Sequence, residues 1–224
     1  LRVTPTLIDR AGAAVTGSMF WLIFRVFWCL RIEGKENILR EGTYILCPNH
    51  NSYFDPFIVA GSLPRKQLKS TFFIGYSAIV EHPAVNWSLK FARIIPISSV
   101  ANFAASLQIA SYLLRNSKNV CIFPEGRRSP DQTLGPFKKG AAILAKELDV
   151  PLVPVSIEGT GKAWPVGQKL PKPAKLKIVY GKPVTANQLL ARGEIKSEDD
   201  YQAIADALRQ EVLKLQNDAE LSKH

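Results

Sequence analysis

A histidine and an aspartate, His50 and Asp55, stand five residues apart in the stretch NHNSYFDP. When a carboxylate accepts a hydrogen bond from one imidazole nitrogen, the other nitrogen can act as a general base. The pair therefore suggests a proton-transfer site. A structural interpretation is also open, because aspartate followed by Pro56 is typical of a helix start, where the carboxylate caps the helix.

Cationic side chains form a second candidate group in the stretch FPEGRRS, residues 123–129. Gly126 permits a tight turn directly after an apolar run, and Arg127 and Arg128 follow it. Guanidinium groups bind phosphate through paired hydrogen bonds. A solvated basic loop is the alternative, in which Glu125 only orients an arginine. A lysine pair at 138–139 stands at the start of a predicted helix, where cations oppose the helix dipole and an anion nearby would be favourable; an ordinary surface pair is the alternative.

Two other kinds of chemistry find less support. Cys47 stands three residues before His50, but it lies in an apolar run, and buried cysteines are usually inert. No G-x-S-x-G nucleophile motif is present. No metal site and no cofactor are predicted, because the other histidines offer no matching spacing. The three cysteines show no disulfide spacing, which favours a reducing compartment.

The order of elements predicts an α/β fold with a central, mostly parallel or mixed sheet flanked by helices, because short apolar runs alternate with helical patterns. The predicted strands are 44–48, 69–75, 93–98, 119–123, 151–157 and 175–181. The predicted helices are 52–63, 77–91, 102–116, 137–148 and 197–216. His50 then follows the end of a strand, where α/β proteins place ligand sites. If its strand neighbours 119–123, the arginines reach the same sheet edge.

The chain divides into three predicted parts. Residues 1–34 form a membrane-associated helical segment, in which 11–30 are apolar and aromatic but contain Arg25. A charge in that position disfavours a membrane span and favours a helix embedded at the interface, although a buried core helix is the alternative. Residues 35–195 form the α/β domain. Residues 196–224 contribute an amphipathic helix packed on that domain.

The net charge indicates an anionic partner. The chain carries 29 Lys and Arg against 19 Asp and Glu, a formal net charge of +10. Nucleic acid is not predicted, because no dense basic stripe and no basic residues interleaved with aromatics are present. A phosphorylated substrate or an anionic lipid surface fits better.

These motifs together resemble the glycerolipid acyltransferase family, of which lysophosphatidate acyltransferases are members. NHNSYFDP is similar to the family's His-x4-Asp block, and FPEGRRS is similar to its F-P-E-G-x-R-S block. VPLVPVSI, residues 150–157, is similar to its V-P-x-x-P-V block. The resemblance covers about residues 35–185. The stretches around 129–140 and 150–167 also resemble acyltransferase domains fused to AMP-forming fatty-acid-activating enzymes, which suggests an excised domain.

The resemblance implies a mechanism, partners and a location. His50 and Asp55 would be catalytic, and His50 would activate a lysophospholipid hydroxyl that attacks the thioester of acyl-CoA or acyl-carrier protein. The implied substrate-binding residues are Glu125, Gly126, Arg127, Arg128 and Lys139. The protein would work on an anionic lipid surface, at the cytoplasmic face of the inner membrane, in phospholipid synthesis. The leading acceptor is 1-acylglycerol-3-phosphate.

One block departs from the family's pattern. PISSV, residues 96–100, has serines where the family often has an acidic residue and an arginine that helps to hold the acceptor phosphate. The departure keeps acceptors with a diester head group open, such as lysophosphatidylethanolamine. A non-catalytic lipid-binding module and a lipid hydrolase are further alternatives.

Overall fold

A single mixed sheet organises the part of the chain that the structure, a computed structural model, describes: residues 28–76, 94–97, 103–165, 168, 171–192 and 199–221. Its strands are β1 (Arg31–Glu33), β2 (Ile45–Pro48), β3 (Thr71–Tyr76), β4 (Ile94–Ile97), β5 (Asn119–Ile122), β6 (Leu152–Glu158) and β7 (Lys177–Tyr180). Their order across the sheet is β1-β7-β6-β2-β5-β3-β4. Only the β6–β7 pair is antiparallel. The predicted α/β fold with a mostly parallel sheet is confirmed.

Helices cover both faces of this sheet. They are α1 (Asp55–Ser62), α2 (Arg65–Ser70), α3 (Phe103–Arg115), α4 (Gly140–Leu148), α5 (Thr160–Ala163), α6 (Ala186–Ala191) and α7 (Asp200–Leu221), with a 3-10 turn at Lys35–Asn37. One core cluster joins residues of α3, α4, α6 and α7 to one face of the strands. A second cluster joins α1 and Trp28 to the other face. Strand β2, covered on both faces, buries every residue, which explains why its sequence is a continuous apolar run.

The central strands alternate between the two cores. Ile45 and Cys47 of β2 belong to the cluster under α4, and Leu46 between them belongs to the cluster under α1. Successive side chains of a strand point to opposite faces, so this alternation follows from the pleat. Large-to-small changes at these fully buried positions would cost about 2–5 kcal/mol of stability each.

The register of β2 against β5 decides where the site forms. Ile45 pairs with Val120 and Leu46 with Cys121, in parallel. The carboxyl ends of both strands therefore meet at the same sheet edge, and the loops that begin at residues 49 and 123 emerge side by side. The predicted strands 44–48 and 119–123 are therefore neighbours, which was the condition for placing the arginines at the sheet edge of His50.

Several predicted boundaries differ from the structure. The helix predicted over 137–148 begins at Gly140, so the lysine pair precedes it. The strand predicted from 69 begins at Thr71, after α2. Strand β1 and helices α2, α5 and α6 were not predicted. Residues 11–27 of the first predicted helix, the helix predicted over 77–91 and the serines of PISSV lie outside the described residues. Among the described helices, none has the length and apolar character needed to cross a membrane.

Candidate active site

His50 and Asp55 form a hydrogen-bonded pair at the carboxyl edge of the sheet. The imidazole Nδ1 lies 2.8 Å from Asp55 Oδ2. The histidine side chain is 13% exposed, and the aspartate side chain is fully buried. The other ring nitrogen, Nε2, makes no hydrogen bond to any residue that the structure describes. The arrangement has the geometry of a base oriented by a carboxylate, with one nitrogen available to a substrate hydroxyl.

The backbone of the same loop holds the Asp55 carboxylate. Its Oδ2 also accepts hydrogen bonds from the backbone N–H groups of Asn51, at 2.6 Å, and Ser52, at 2.7 Å. The carboxylate thus points back toward the loop, and no side-chain cap is made at the start of α1. The helix-cap interpretation of Asp55 is therefore wrong. A position in the first turn of α1 still favours a negative charge through the helix dipole.

Asn49 holds the loop to the sheet, a role that the sequence analysis missed. Its side-chain Nδ2 donates to Ile157 O at 3.0 Å, and its Oδ1 accepts from Ile157 N at 2.6 Å. The side-chain amide thus replaces the backbone of β2 in the pairing with β6, just where the chain leaves the sheet. An asparagine at a strand end, next to the candidate base, was the signal available in the sequence.

Glu125 joins the histidine loop to the arginine loop. Its Oε1 accepts from the His50 backbone N–H at 2.7 Å, and its Oε2 accepts from the Gly135 N–H at 3.0 Å. Burial raises the pKa of Glu125 above its ordinary value, and the two backbone hydrogen bonds partly offset that rise. The Ser129 N–H donates to His50 O at 2.8 Å, which closes the connection between the loops. Phe123 stacks on the imidazole with ring centroids 4.2 Å apart.

Arg128 lies over an aromatic ring of the histidine loop. Its guanidinium carbon is 3.5 Å from the ring centroid of Tyr53, a cation–π contact worth about 0.5–2 kcal/mol. Its Nη1 is buried without a hydrogen bond among the described residues. The structure therefore places a cation with unused donors beside the His50 loop. Nothing in the sequence predicted that Tyr53 would hold it.

The remaining predicted residues do not all meet at this edge. Arg127 is exposed on the same loop as Arg128. Lys139, in contrast, pairs through Nζ with Asp199 Oδ2 at 2.5 Å, next to the start of α7. Lys138, the other member of the predicted lysine pair, lies against Gly126. The structure thus brings together Glu125, Gly126 and Arg128 with the histidine pair and directs Lys139 elsewhere.

Cys47 is not arranged as a nucleophile. It is fully buried in the core under α4, and burial raises the pKa of its thiol well above the ordinary value. A thiol held neutral in this way is unreactive. Among the described residues, no group of three or more histidine, cysteine or acidic side chains is arranged to hold a metal ion.

Comparisons with known proteins place this chain in a family. A model of the family described as Acyltransferase matches residues 29–158, more than half of the chain, and that range includes His50, Asp55 and the 123–129 loop. The chain therefore belongs to the acyltransferase family. The predicted resemblance to glycerolipid acyltransferases is confirmed.

The relatives found are named for one activity. The chain is 32% identical over 162 residues to the chloroplastic 1-acyl-sn-glycerol-3-phosphate acyltransferase LPAT1 of Arabidopsis thaliana, covering 70% of this chain and 44% of that protein. It is 31% identical over 194 residues to a 1-acyl-sn-glycerol-3-phosphate acyltransferase of Limnanthes douglasii, a match that covers 85% of this chain and 64% of that protein. The chain thus spans about half the length of the curated relatives it matches. These relatives do not support the expected fusion with an AMP-forming ligase.

A solved structure shares the fold. The crystal structure of the 1-acyl-sn-glycerophosphate acyltransferase PlsC from Thermotoga maritima superposes with a TM-score of 0.68 at 26% sequence identity. The match covers 92% of this chain and 79% of that chain.

Proposed function

We propose that this chain transfers a fatty acyl group from a thioester donor, acyl-CoA or acyl-carrier protein, to the free hydroxyl of a lysophospholipid. The leading acceptor is 1-acylglycerol-3-phosphate. The family supports acyl transfer, and the names of the relatives support this acceptor. The observation that carries the proposal is the hydrogen bond between His50 and the buried Asp55, which leaves the second imidazole nitrogen available.

The proposed reaction has two proton transfers and one exchange of bonds at the carbonyl carbon. His50 Nε2 takes the proton of the acceptor hydroxyl as its oxygen attacks the thioester carbonyl carbon. The tetrahedral adduct expels the thiolate, which receives the proton from the imidazolium. The Asp55 carboxylate stabilises the imidazolium that forms between these steps. Direct attack is favoured over an acyl-enzyme because the nearby Cys47 thiol is buried and held neutral.

The arginine loop would hold the acceptor. Arg128, fixed by its contact with Tyr53, has donors suited to a phosphate, and Arg127 adds charge on the exposed side of the loop. Glu125 would act as a positioning residue, since its two carboxylate oxygens accept from the backbone N–H groups of His50 and Gly135. These two hydrogen bonds would set the distance between the base and the phosphate site.

A membrane surface at the cytoplasmic face is the proposed setting. Both acyl chains of the product belong in a bilayer, and the net charge of +10 favours anionic lipid. Flotation of the full chain with vesicles tests this setting. Binding that rises with the fraction of anionic lipid and falls with salt supports it, and equal recovery with neutral vesicles contradicts it.

The experiment for the activity is acyl transfer from labelled acyl-CoA and labelled acyl-carrier protein to a panel of lysolipids, by wild type and His50→Ala. Product that disappears in the variant, while vesicle binding is retained, supports the proposal. Transfer only to diester acceptors would support lysophosphatidylethanolamine as the acceptor class instead, the alternative that the serines of PISSV favour. Release of free fatty acid without acceptor would indicate a hydrolase. No product with any pair would leave a lipid-binding module.

A further inference from the structure

A lysine side chain lies across the glycine turn of the arginine loop. Gly126 has a φ angle of +70°, and its N–H donates to Phe123 O at 3.0 Å. A Cβ atom placed on Gly126 would lie 2.8 Å from Lys138 Nζ and 2.9 Å from its Cε. Glycine is therefore favoured here by the left-handed backbone, and a larger residue would also displace the end of the Lys138 side chain. The Lys138 N–H donates to Pro124 O at 2.8 Å, which fixes the start of that side chain.

The two neighbouring lysines differ in what they contact. Lys139 makes an ion pair with Asp199, whose carboxylate also accepts from the first turn of α7. Lys138 has no carboxylate within ion-pair distance among the described residues, although it reaches into the loop that contains Arg127 and Arg128. The pair thus provides one cation held in an ion pair and one cation without a carboxylate partner among the described residues, in adjacent positions.

The acidic groups of the same loop are already engaged. Glu125 is buried and accepts from two backbone N–H groups. Asp131 accepts from the Ser129 hydroxyl and from the hydroxyl and N–H of Thr133, and these hydrogen bonds lower its pKa to about 2. Each acid thus has its own donors elsewhere in the loop. The cations of the loop, together with the start of α4 behind Lys138, therefore favour an anion bound from outside.

We propose that Lys138 is the second cation of the acceptor site, beside Arg128, and that it selects a phosphate monoester over a phosphodiester head group. The inference rests on the proposed acyltransferase function. A monoester carries nearly two negative charges at neutral pH and three terminal oxygens, so it can use a guanidinium and an ammonium together. A diester carries one charge and two terminal oxygens, and it gains less from the second cation.

Adjacent lysines provide a matched pair of variants. Lys138→Met and Lys139→Met remove one charge each and keep an unbranched side chain, and Lys138→Arg restores the charge. The rates of acyl transfer to 1-acylglycerol-3-phosphate and to lysophosphatidylethanolamine are measured for the full chain and each variant. We expect Lys138→Met to raise the KM for the monoester about tenfold, with the KM for the diester changed less than twofold. Lys139→Met should leave both values within twofold, and Lys138→Arg should recover most of the loss.

Direct binding separates this inference from the enzymatic proposal. Calorimetry measures the affinity of the wild type and both methionine variants for sn-glycerol 3-phosphate, which requires no catalysis. Binding that is lost in Lys138→Met and kept in Lys139→Met supports the anion site, even if no acyl transfer is detected with any acceptor. Equal losses in the two variants, an equal rise in KM for both acceptors, or no binding by the wild type would overturn the assignment of Lys138.

Discussion

Replacing Asp55 by asparagine tests the proposed mechanism most directly. Asn51 N–H, Ser52 N–H and His50 Nδ1 all lie within 2.8 Å of a single oxygen, Asp55 Oδ2. An amide oxygen in that position can still accept all three hydrogen bonds, so the loop geometry and the imidazole tautomer are expected to remain. The variant therefore removes the charge and leaves the shape of the site.

The size of the effect follows from the lost charge. An imidazolium and a carboxylate about 4 Å apart attract each other by about 4 kcal/mol at an effective dielectric constant of 20. Losing that attraction in the transition state lowers kcat about 10³-fold. The amide nitrogen would take the place of Oδ1, which is already buried without a hydrogen-bond partner among the described residues, so the variant leaves the number of unpaired buried polar atoms unchanged.

The assay compares kcat of the wild type, Asp55→Asn, His50→Ala and the double variant at saturating substrates. Because Asp55 acts through His50, the double variant should be no slower than His50→Ala by more than about threefold. Asp200→Asn is the matched control, since this exposed carboxylate pairs with Lys146 at the start of α7. A kcat for Asp55→Asn within tenfold of the wild type, or losses that multiply in the double variant, would refute the general-base role.

Three further predictions follow from single contacts. Asn49→Ala removes two buried hydrogen bonds that join the loop to β6, so urea unfolding should show that the free energy of unfolding falls by about 2–4 kcal/mol. A decrease below about 0.5 kcal/mol would show that Asn49 does not hold the loop to β6. Tyr53→Leu should raise the KM for the monoester acceptor about fivefold, and Tyr53→Phe should leave it unchanged, because the aromatic ring alone holds Arg128. Equal effects of the two variants on KM would exclude the cation–π role of Tyr53. Burial raises the pKa of Glu125 in the folded protein. The stability of the wild type relative to Glu125→Gln should therefore decrease as pH rises above 4.5 and level off above the folded-state pKa. A stability difference that grows with pH would show that folding lowers the pKa of Glu125 instead.

The elements nearest the site could be predicted with small errors, and the physical reason is their composition. Strands β2 and β5 are short apolar runs that end in polar loops, which is the pattern of strands buried on both faces. Strand β1, with only three residues and partial exposure, has no such pattern. The lysine pair was assigned to a helix because FKKGAAILAKEL has helical periodicity, but Lys138 N–H is bound to Pro124 O in the preceding loop.

The sequence by itself determined the fold class, the two candidate loops and the family, because apolar periodicity and short motifs are local properties. Only the tertiary structure decided which residues meet. The parallel pairing of β2 with β5 brings the loops of His50 and Glu125 together, 75 positions apart in the chain. Tertiary packing also pairs Lys139 with Asp199 while Lys138 lies on Gly126. Such choices depend on contacts between distant segments, which linear spacing does not encode.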